Sequence, residues 1–347
     1  MFLRKELLFL FLFFIANSVF AAAAQKSFSD WQVTCNNQNF CSARNTGLHH
    51  GLVMTLTRSA GARTDATLRI DLGNLTTTEL QAPPIAPQML LDGESLVLDL
   101  PKWQVSPHHL KTDDADAING FLDKVANADA ITLKQGKGNI SLSGLKASLL
   151  FIDSQQQRVG SETAWVKKGA DPPLSVPPAP ALKAVKLTNP TPTPLTQSEL
   201  SDLMDYGTWR MNNTQCSLDP ARREVRVFAL SDDKALLMVG CEAGAYNIVD
   251  LAWVVSRQKP FAAQQIRLKL PFTPGSGNTE LELMNTGYDE NNKELTTLAK
   301  GRGIGDCGVA TRWRFDGQQF RLVRYAEEPS CDEWNGSASW PTLWVTN

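Results

Sequence analysis

Four groups of residues in this sequence of 347 could do chemistry. The first is Gly301-Arg302-Gly303-Ile304-Gly305-Asp306-Cys307-Gly308, where alternating glycines beside an arginine suggest a phosphate-binding turn. Such a cradle needs a strand before the glycines and a helix after them, so that helix N–H groups meet the anion. The chain downstream is instead an alternating run through Trp313 and Phe315 into Asp316-Gly317, so the glycines lead into a β-hairpin. The loop therefore reads as a turn. Arg302 and Asp306 remain as candidate ligand contacts, or as a pair with each other.

The second group is Ser143-Gly144-Leu145-Lys146, whose one-turn spacing would let a lysine deprotonate a serine nucleophile. The Ser-Asp-Asn and Lys-Thr-Gly companions of penicillin-recognising enzymes are absent. Read structurally, Ser143 is an N-cap and Lys146 a solvated helix residue. The third group is two histidine doublets, His49-His50 and His108-His109, read as exposed loop residues. Neighbouring residues on a strand point to opposite faces, so neither doublet chelates a metal by itself. The fourth is Trp334, Trp340 and Trp344, either core residues or a platform on which sugar rings stack. The acidic run Asp113, Asp114, Asp116 lacks EF-hand glycine placement and fits a helix N-terminus. Neither a metal nor a cofactor is expected.

These groups need a scaffold, and six cysteines at 35, 41, 216, 241, 307 and 331 supply its covalent part. An even count in an exported chain favours disulfides. The spacing favours the local pairs Cys35–Cys41, Cys216–Cys241 and Cys307–Cys331, the longer two contributing about 3–4 kcal/mol each in the chain-entropy model. Export is expected because Arg4 and Lys5 precede an apolar stretch from Leu7 to Ala16 and small residues at Ala21 to Ala24. Cleavage is expected between residues 21 and 25, with no later transmembrane anchor. Without that segment, 32 basic residues face 35 acidic ones, a balance that does not call for nucleic acid.

The run from Asp171 to Gln197 holds eight of the nineteen prolines and reads as an extended, semi-rigid linker. It separates a domain at 25–170 from one at 197–347, with the linker at 171–196. In the first, period-two alternation around Trp31–Cys35, Leu52–Leu56, Leu68–Leu72 and Leu96–Leu100 predicts strands. Ile118, Phe121, Leu122 and Val125 predict one helix, capped by Asp116; Leu145, Leu149 and Ile152 predict another, with Gly160 able to end it. In the second, Thr196-Gln197-Ser198-Glu199 is a capping box for a short helix stopping at Gly207. Antiparallel strands come after it at 225–230, 235–239, 248–255, 265–270 and 280–284. The fold expected is α+β and mainly antiparallel β: two disulfide-containing β-rich domains on a Pro-rich linker.

Together the opening Phe28-Ser29-Asp30-Trp31-Gln32-Val33-Thr34-Cys35, the glycine loop, the hairpin around Asp316-Gly317 and the late Cys331 before Trp340 resemble a bacterial family, domain of unknown function eleven-seventy-six. The opening strand and the helix around Leu145 resemble, more loosely, the invasion-associated locus B family of exported proteins. The resemblance implies a Gram-negative periplasmic address and an unassigned role, and brings no catalytic residue. The function expected is that of a non-enzymatic periplasmic binding or accessory protein for an envelope component, glycan or protein. The alternatives are a cofactor-free serine hydrolase using Ser143 and Lys146 on cell-wall or peptide-like substrates, and an inhibitor or host-interaction protein.

Overall fold

The computed structural model describes residues 23–63, 65–75, 84–185 and 191–347; the expected signal segment, residues 1–21, lies outside the described residues. In the first half, period-two alternation builds β1 (Ala24–Phe28), β2 (Trp31–Cys35), β3 (Cys41–Asn45), β4 (Leu52–Arg58) and β5 (Ala66–Leu72). Shorter strands come next as β6 (Met89–Leu91), β7 (Glu94–Ser95), β8 (Gln104–Val105) and β9 (His109–Thr112). Helix α1 (Ala115–Val125) precedes β10 (Ala130–Leu133) and β11 (Asn139–Ser141), and α2 (Leu145–Gln155) closes the unit. One antiparallel sheet has the order β1-β2-β3-β4-β5-β9-β8, and a smaller one the order β11-β10-β6-β7.

Register sets the faces of the large sheet. Val33, Ala43, Leu56 and Leu68 are successive partners across β2 to β5, and all are buried. Ile118, Phe121, Leu122 and Val125 of α1, with Leu145, Leu149 and Ile152 of α2, join the same core. Burying each large apolar side chain stabilises by about 1.5–3 kcal/mol, which holds both helices on this face. The opposite face carries polar residues at the intervening positions.

Several local expectations are corrected. Asp114, not Asp116, caps α1, because its extended backbone (φ −72°, ψ 120°) lets its carboxylate accept from Ala117 N at 2.8 Å. Asp116 already lies inside the first turn. The N-cap of α2 is Gly144, one residue after Ser143, and the helix ends at Gln155, before Gly160. Leu96–Leu100 forms no strand; Leu100–Lys102 is a 3₁₀ turn around Pro101, which lacks the N–H a sheet ladder needs.

In the second half, α3 (Gln197–Asn212) opens with the expected Thr196–Glu199 capping box. Gly207 does not stop it. A Cβ there would meet Val225 Cγ1 at 2.4 Å, so this glycine lets the helix lie close against the sheet. The strands are β12 (Val225–Ala229), β13 (Lys234–Ala243), β14 (Ile248–Ser256), β15 (Ala263–Gln265), β16 (Leu268–Lys269), β17 (Glu280–Leu281) and β18 (Leu283–Met284). Then come β19 (Gly287–Asp289), β20 (Glu294–Lys300), β21 (Gly308–Phe315), β22 (Phe320–Glu328) and β23 (Thr342–Val345). They form sheets of order β12-β13-β14-β15, with β18 beside β14, and β19-β20-β21-β22-β23, plus the pair β16-β17.

Strand β13 is buried on both sides and so reads as a nearly continuous apolar run. Leu236 and Met238 pack towards Trp313 and Leu322 of the β19–β23 sheet, whereas Ala235, Leu237 and Val239 pack with Leu203 of α3. The layers are therefore helix, sheet, sheet. The three disulfides join the expected partners: Cys35–Cys41, Cys216–Cys241 and Cys307–Cys331.

The clusters of buried apolar residues fall on either side of the Pro-rich segment. Among its described residues, Val185 N–H donates to the Asn347 carbonyl at 2.7 Å, and Asn347 N–H donates to the Lys183 carbonyl at 3.1 Å. A polar seam joins the halves. Asn37 clasps the last strand, its Nδ2 donating to the Val345 carbonyl and its Oδ1 accepting Val345 N–H, each at 2.9 Å. Gln25 Nε2 donates to the Glu327 carbonyl at 3.2 Å, and Ser330 Oγ donates to Gln32 Oε1 at 3.1 Å.

Candidate functional site

The polar face of the first sheet is the floor of a cleft of about 560 Å³. Antiparallel register places Gln32, Arg44, Thr55 and Arg69 side by side across β2 to β5, and pairs Asp71 with His109. The far wall is the C-terminal segment, with Trp334, Asn335 and Pro341, beside Glu328 at the end of β22. Sites for small ligands commonly span about 300–1,000 Å³ and combine an apolar wall with a few converging polar groups.

Charge inside the cleft is internally compensated. Arg69 binds Asp71 through Nε at 2.7 and 2.6 Å and through Nη2 at 2.6 Å, with the guanidinium half-exposed. Arg44 is nearly buried between Glu328 at 2.9 Å and Asp332 at 2.6 Å, so the floor is fastened to the wall by an ion triplet. His49 extends it: Nδ1 accepts Gly51 N–H at 3.0 Å, and Nε2 lies 3.6 Å from Asp332. Burial alone would raise the Asp332 carboxyl, but His49 and Arg44 outweigh it and hold the group below its ordinary range. At Glu328 burial prevails over Arg44, and the carboxyl is raised. Removing Arg44 would leave two buried carboxylates without their cation.

The glycine loop supports this wall from behind. Arg302 Nε and Nη2 grip the Asp306 carboxylate at 2.9 and 2.5 Å, and Asp306 also accepts Glu333 N–H at 2.7 Å. The Arg302 contact, which outweighs burial, holds the Asp306 carboxyl below its ordinary range. Gly308 sits at φ 134°, and a Cβ there would come within 2.0 Å of the Ala299 carbonyl. The loop is thus a turn that leads into the β21–β22 hairpin and, through Cys307–Cys331, ties down the segment carrying Asp332 and Trp334. A second hollow of about 470 Å³ shares Asn74 with the cleft and has Arg302 and His50 on its rim.

The three C-terminal tryptophans have three fates. Trp340 is core, with Nε1 donating to the Asn335 carbonyl at 3.1 Å. Trp344 is half-buried and stacks on Phe272, ring centroids 5.1 Å apart. Only Trp334 lines the cleft, partly buried and edge-on to His49. Its Nε1–H is taken by the Asn335 amide oxygen at 2.6 Å, in the orientation that satisfies both groups, so it offers the cleft ring surface rather than a donor.

Ser143 and Lys146 are both exposed, and among the described residues no hydrogen bond joins them. The histidine doublets do not converge: His108 and His109 line the cleft, His49 and His50 the adjoining hollow. His49 is buried rather than an exposed loop residue, because the C-terminal segment folds over it. Among the described residues no group of three or more His, Cys, Asp or Glu is placed to hold a metal ion. Sequence reasoning missed Asn37, Arg44, Arg69 and Asp332. The alternation on β3 and β5 carried the only signal, marking Arg44 and Arg69 for the polar face without saying what covers it.

These features define a disulfide-bonded, mainly antiparallel β protein whose polar cleft lies between its two halves. No helix among the described residues is long and apolar enough to cross a membrane. The chain belongs to a family described as a protein of unknown function, DUF1176, whose family model matches residues 25–347. It is similar to the uncharacterized protein YpfG of Escherichia coli strain K12, 64% identical over 343 residues that cover 99% of each chain. No solved structure matches. The looser likeness to the invasion-associated locus B family rests on no match among these.

Proposed function

We propose that this protein is a non-enzymatic binding or accessory protein of the Gram-negative periplasm, and that the cleft between its halves receives an envelope component. One observation carries the reading: a polar cleft with compensated charges, walled by Trp334, in which Arg69 is exposed and Ser42, Thr55, Asp71 and His108 are partly exposed. Three disulfides suit an oxidising compartment. The two units expected at 25–170 and 197–347 would then act together, each supplying one side of the cleft.

The test is retention of envelope material. Immobilised mature protein is offered a peptidoglycan digest, outer-membrane polysaccharide and solubilised envelope proteins in parallel with an Arg69→Gln/Trp334→Ala double variant. Retention of a component by the native chain and its loss by the variant supports the reading. Equal retention by both, or none by either, overturns it. The exposed and unlinked Ser143 and Lys146 give the hydrolase alternative no catalytic geometry, and a fluorescent penicillin is expected to label neither the native chain nor Ser143→Ala.

A further inference from the structure

We infer that the ligand of this cleft is an uncharged, hydroxyl-rich saccharide chain, a reading that rests on the cleft being the binding site. The first argument is charge. The two arginines of the floor are matched by Asp71 and Glu328, with Asp332 behind them, so no surplus cation is left for a phosphate or carboxylate ligand. Anion recognition depends on charge-assisted bonds from cations not already occupied. Glu328 and Asp332 are both nearly buried against Arg44, so neither is offered to a basic peptide.

The second argument is hydrogen-bond supply. A hydroxyl both donates and accepts, so a sugar is held best by donors and acceptors placed side by side. Arg69 and Asp71 present such a pair: the Nη1 of Arg69 has no partner among the described residues, and the Asp71 oxygens have lone pairs beyond those the guanidinium uses. Ser42 Oγ, Thr55 Oγ1 and the His108 imidazole line the same floor with no hydrogen bond among the described residues. The third argument is Trp334, whose donor is already occupied. What it offers is apolar ring surface, which suits the C–H face of a pyranose. The accessible groups spread from Ser42 and Thr55 to Arg69, Asp71 and His108, and a cleft of about 560 Å³ has room for more than one sugar ring.

The test is a glycan array of neutral and charged bacterial oligosaccharides, with the full mature chain as the analyte. The best-retained oligosaccharide is then titrated by calorimetry. A neutral oligosaccharide is expected to bind, to weaken about tenfold or more in Trp334→Ala and in Arg69→Gln, and to bind nearly as well in Trp334→Phe. Its affinity should not change when the salt concentration is raised several-fold, because no net charge is paired. The Phe variant keeps a ring in place, so a folding defect in Trp334→Ala does not imitate loss of a contact. Retention of only charged glycans or inorganic phosphate, with salt-sensitive affinity, overturns the inference. So does a neutral ligand indifferent to both substitutions. If no saccharide binds while the envelope retention assay still depends on Arg69 and Trp334, the ligand class is wrong and the cleft reading stands. If that assay is also insensitive, both fail.

Discussion

At the scale of single residues, the chain places its strongest charge interactions where one segment must be fixed to another. Arg44 is the clearest case. Replacing it with methionine removes the cation between two nearly buried carboxylates and is expected to cost about 3–5 kcal/mol in urea denaturation. Adding Glu328→Gln and Asp332→Asn should recover most of that loss, since uncompensated charge is the main penalty. A single variant as stable as the native chain would show the triplet to be energetically idle. Glu199 makes a different prediction. Its carboxylate is held down to about 2, from 4.5, by hydrogen bonds from Arg257 and then from Thr196 N–H. The unfolded chain takes up the proton first as pH falls, so this contribution to stability is complete above about pH 4.5 and is lost as pH falls towards 2. Glu199→Gln should flatten the fall in stability across that window, measured by urea midpoints at successive pH values.

At the scale of elements, close packing decides matters that propensity leaves open. A glycine in the middle of a helix usually costs about 1 kcal/mol relative to alanine, so Gly207→Ala would stabilise an isolated α3. In the fold, the added methyl would sit 2.4 Å from Val225 Cγ1 and 2.8 Å from Leu237 Cδ1. Overpacking of this kind costs about 1–3 kcal/mol, so Gly207→Ala should lower the thermal midpoint. A raised midpoint would mean that α3 can move off the sheet without loss. The same logic explains why the helix passes the residue at which the sequence predicts it to stop. A glycine past a helix end and a glycine under a close contact look alike in one dimension, and only the sheet beneath α3 separates them. The alternation of β2, β4 and β5 was legible because one face meets the core; Leu96–Leu100 shows the same period but forms no strand, since Pro101 turns the chain.

At the scale of the whole molecule, the C-terminal segment covers the Gln32 and Arg44 side of the first half's polar face and leaves the Arg69 side accessible, and the Cys307–Cys331 bond holds that segment in place. Cys331→Ser opens a link spanning 24 residues and is expected to cost about 3–4 kcal/mol. The variant should keep its far-ultraviolet circular dichroism, while the Trp334 emission shifts to the red as the wall loosens. An unchanged emission would place the anchorage in the Asn37 clasp and the Arg44 triplet instead. Mass spectrometry of the non-reduced, proteolysed protein should recover all three cysteine links within their own halves. The disulfide partners, the antiparallel β class, the Asp316-Gly317 hairpin and the Thr196 capping box were all determined by sequence alone, because each depends on residues close together in the chain. The cleft was not. Arg44 and Asp332 are 288 residues apart, and Gln32 meets Ser330 across 298. Sequence period fixes which side of a strand is polar, but only the tertiary structure decides what lies across from it, since that depends on how distant segments are brought together as the two halves pack.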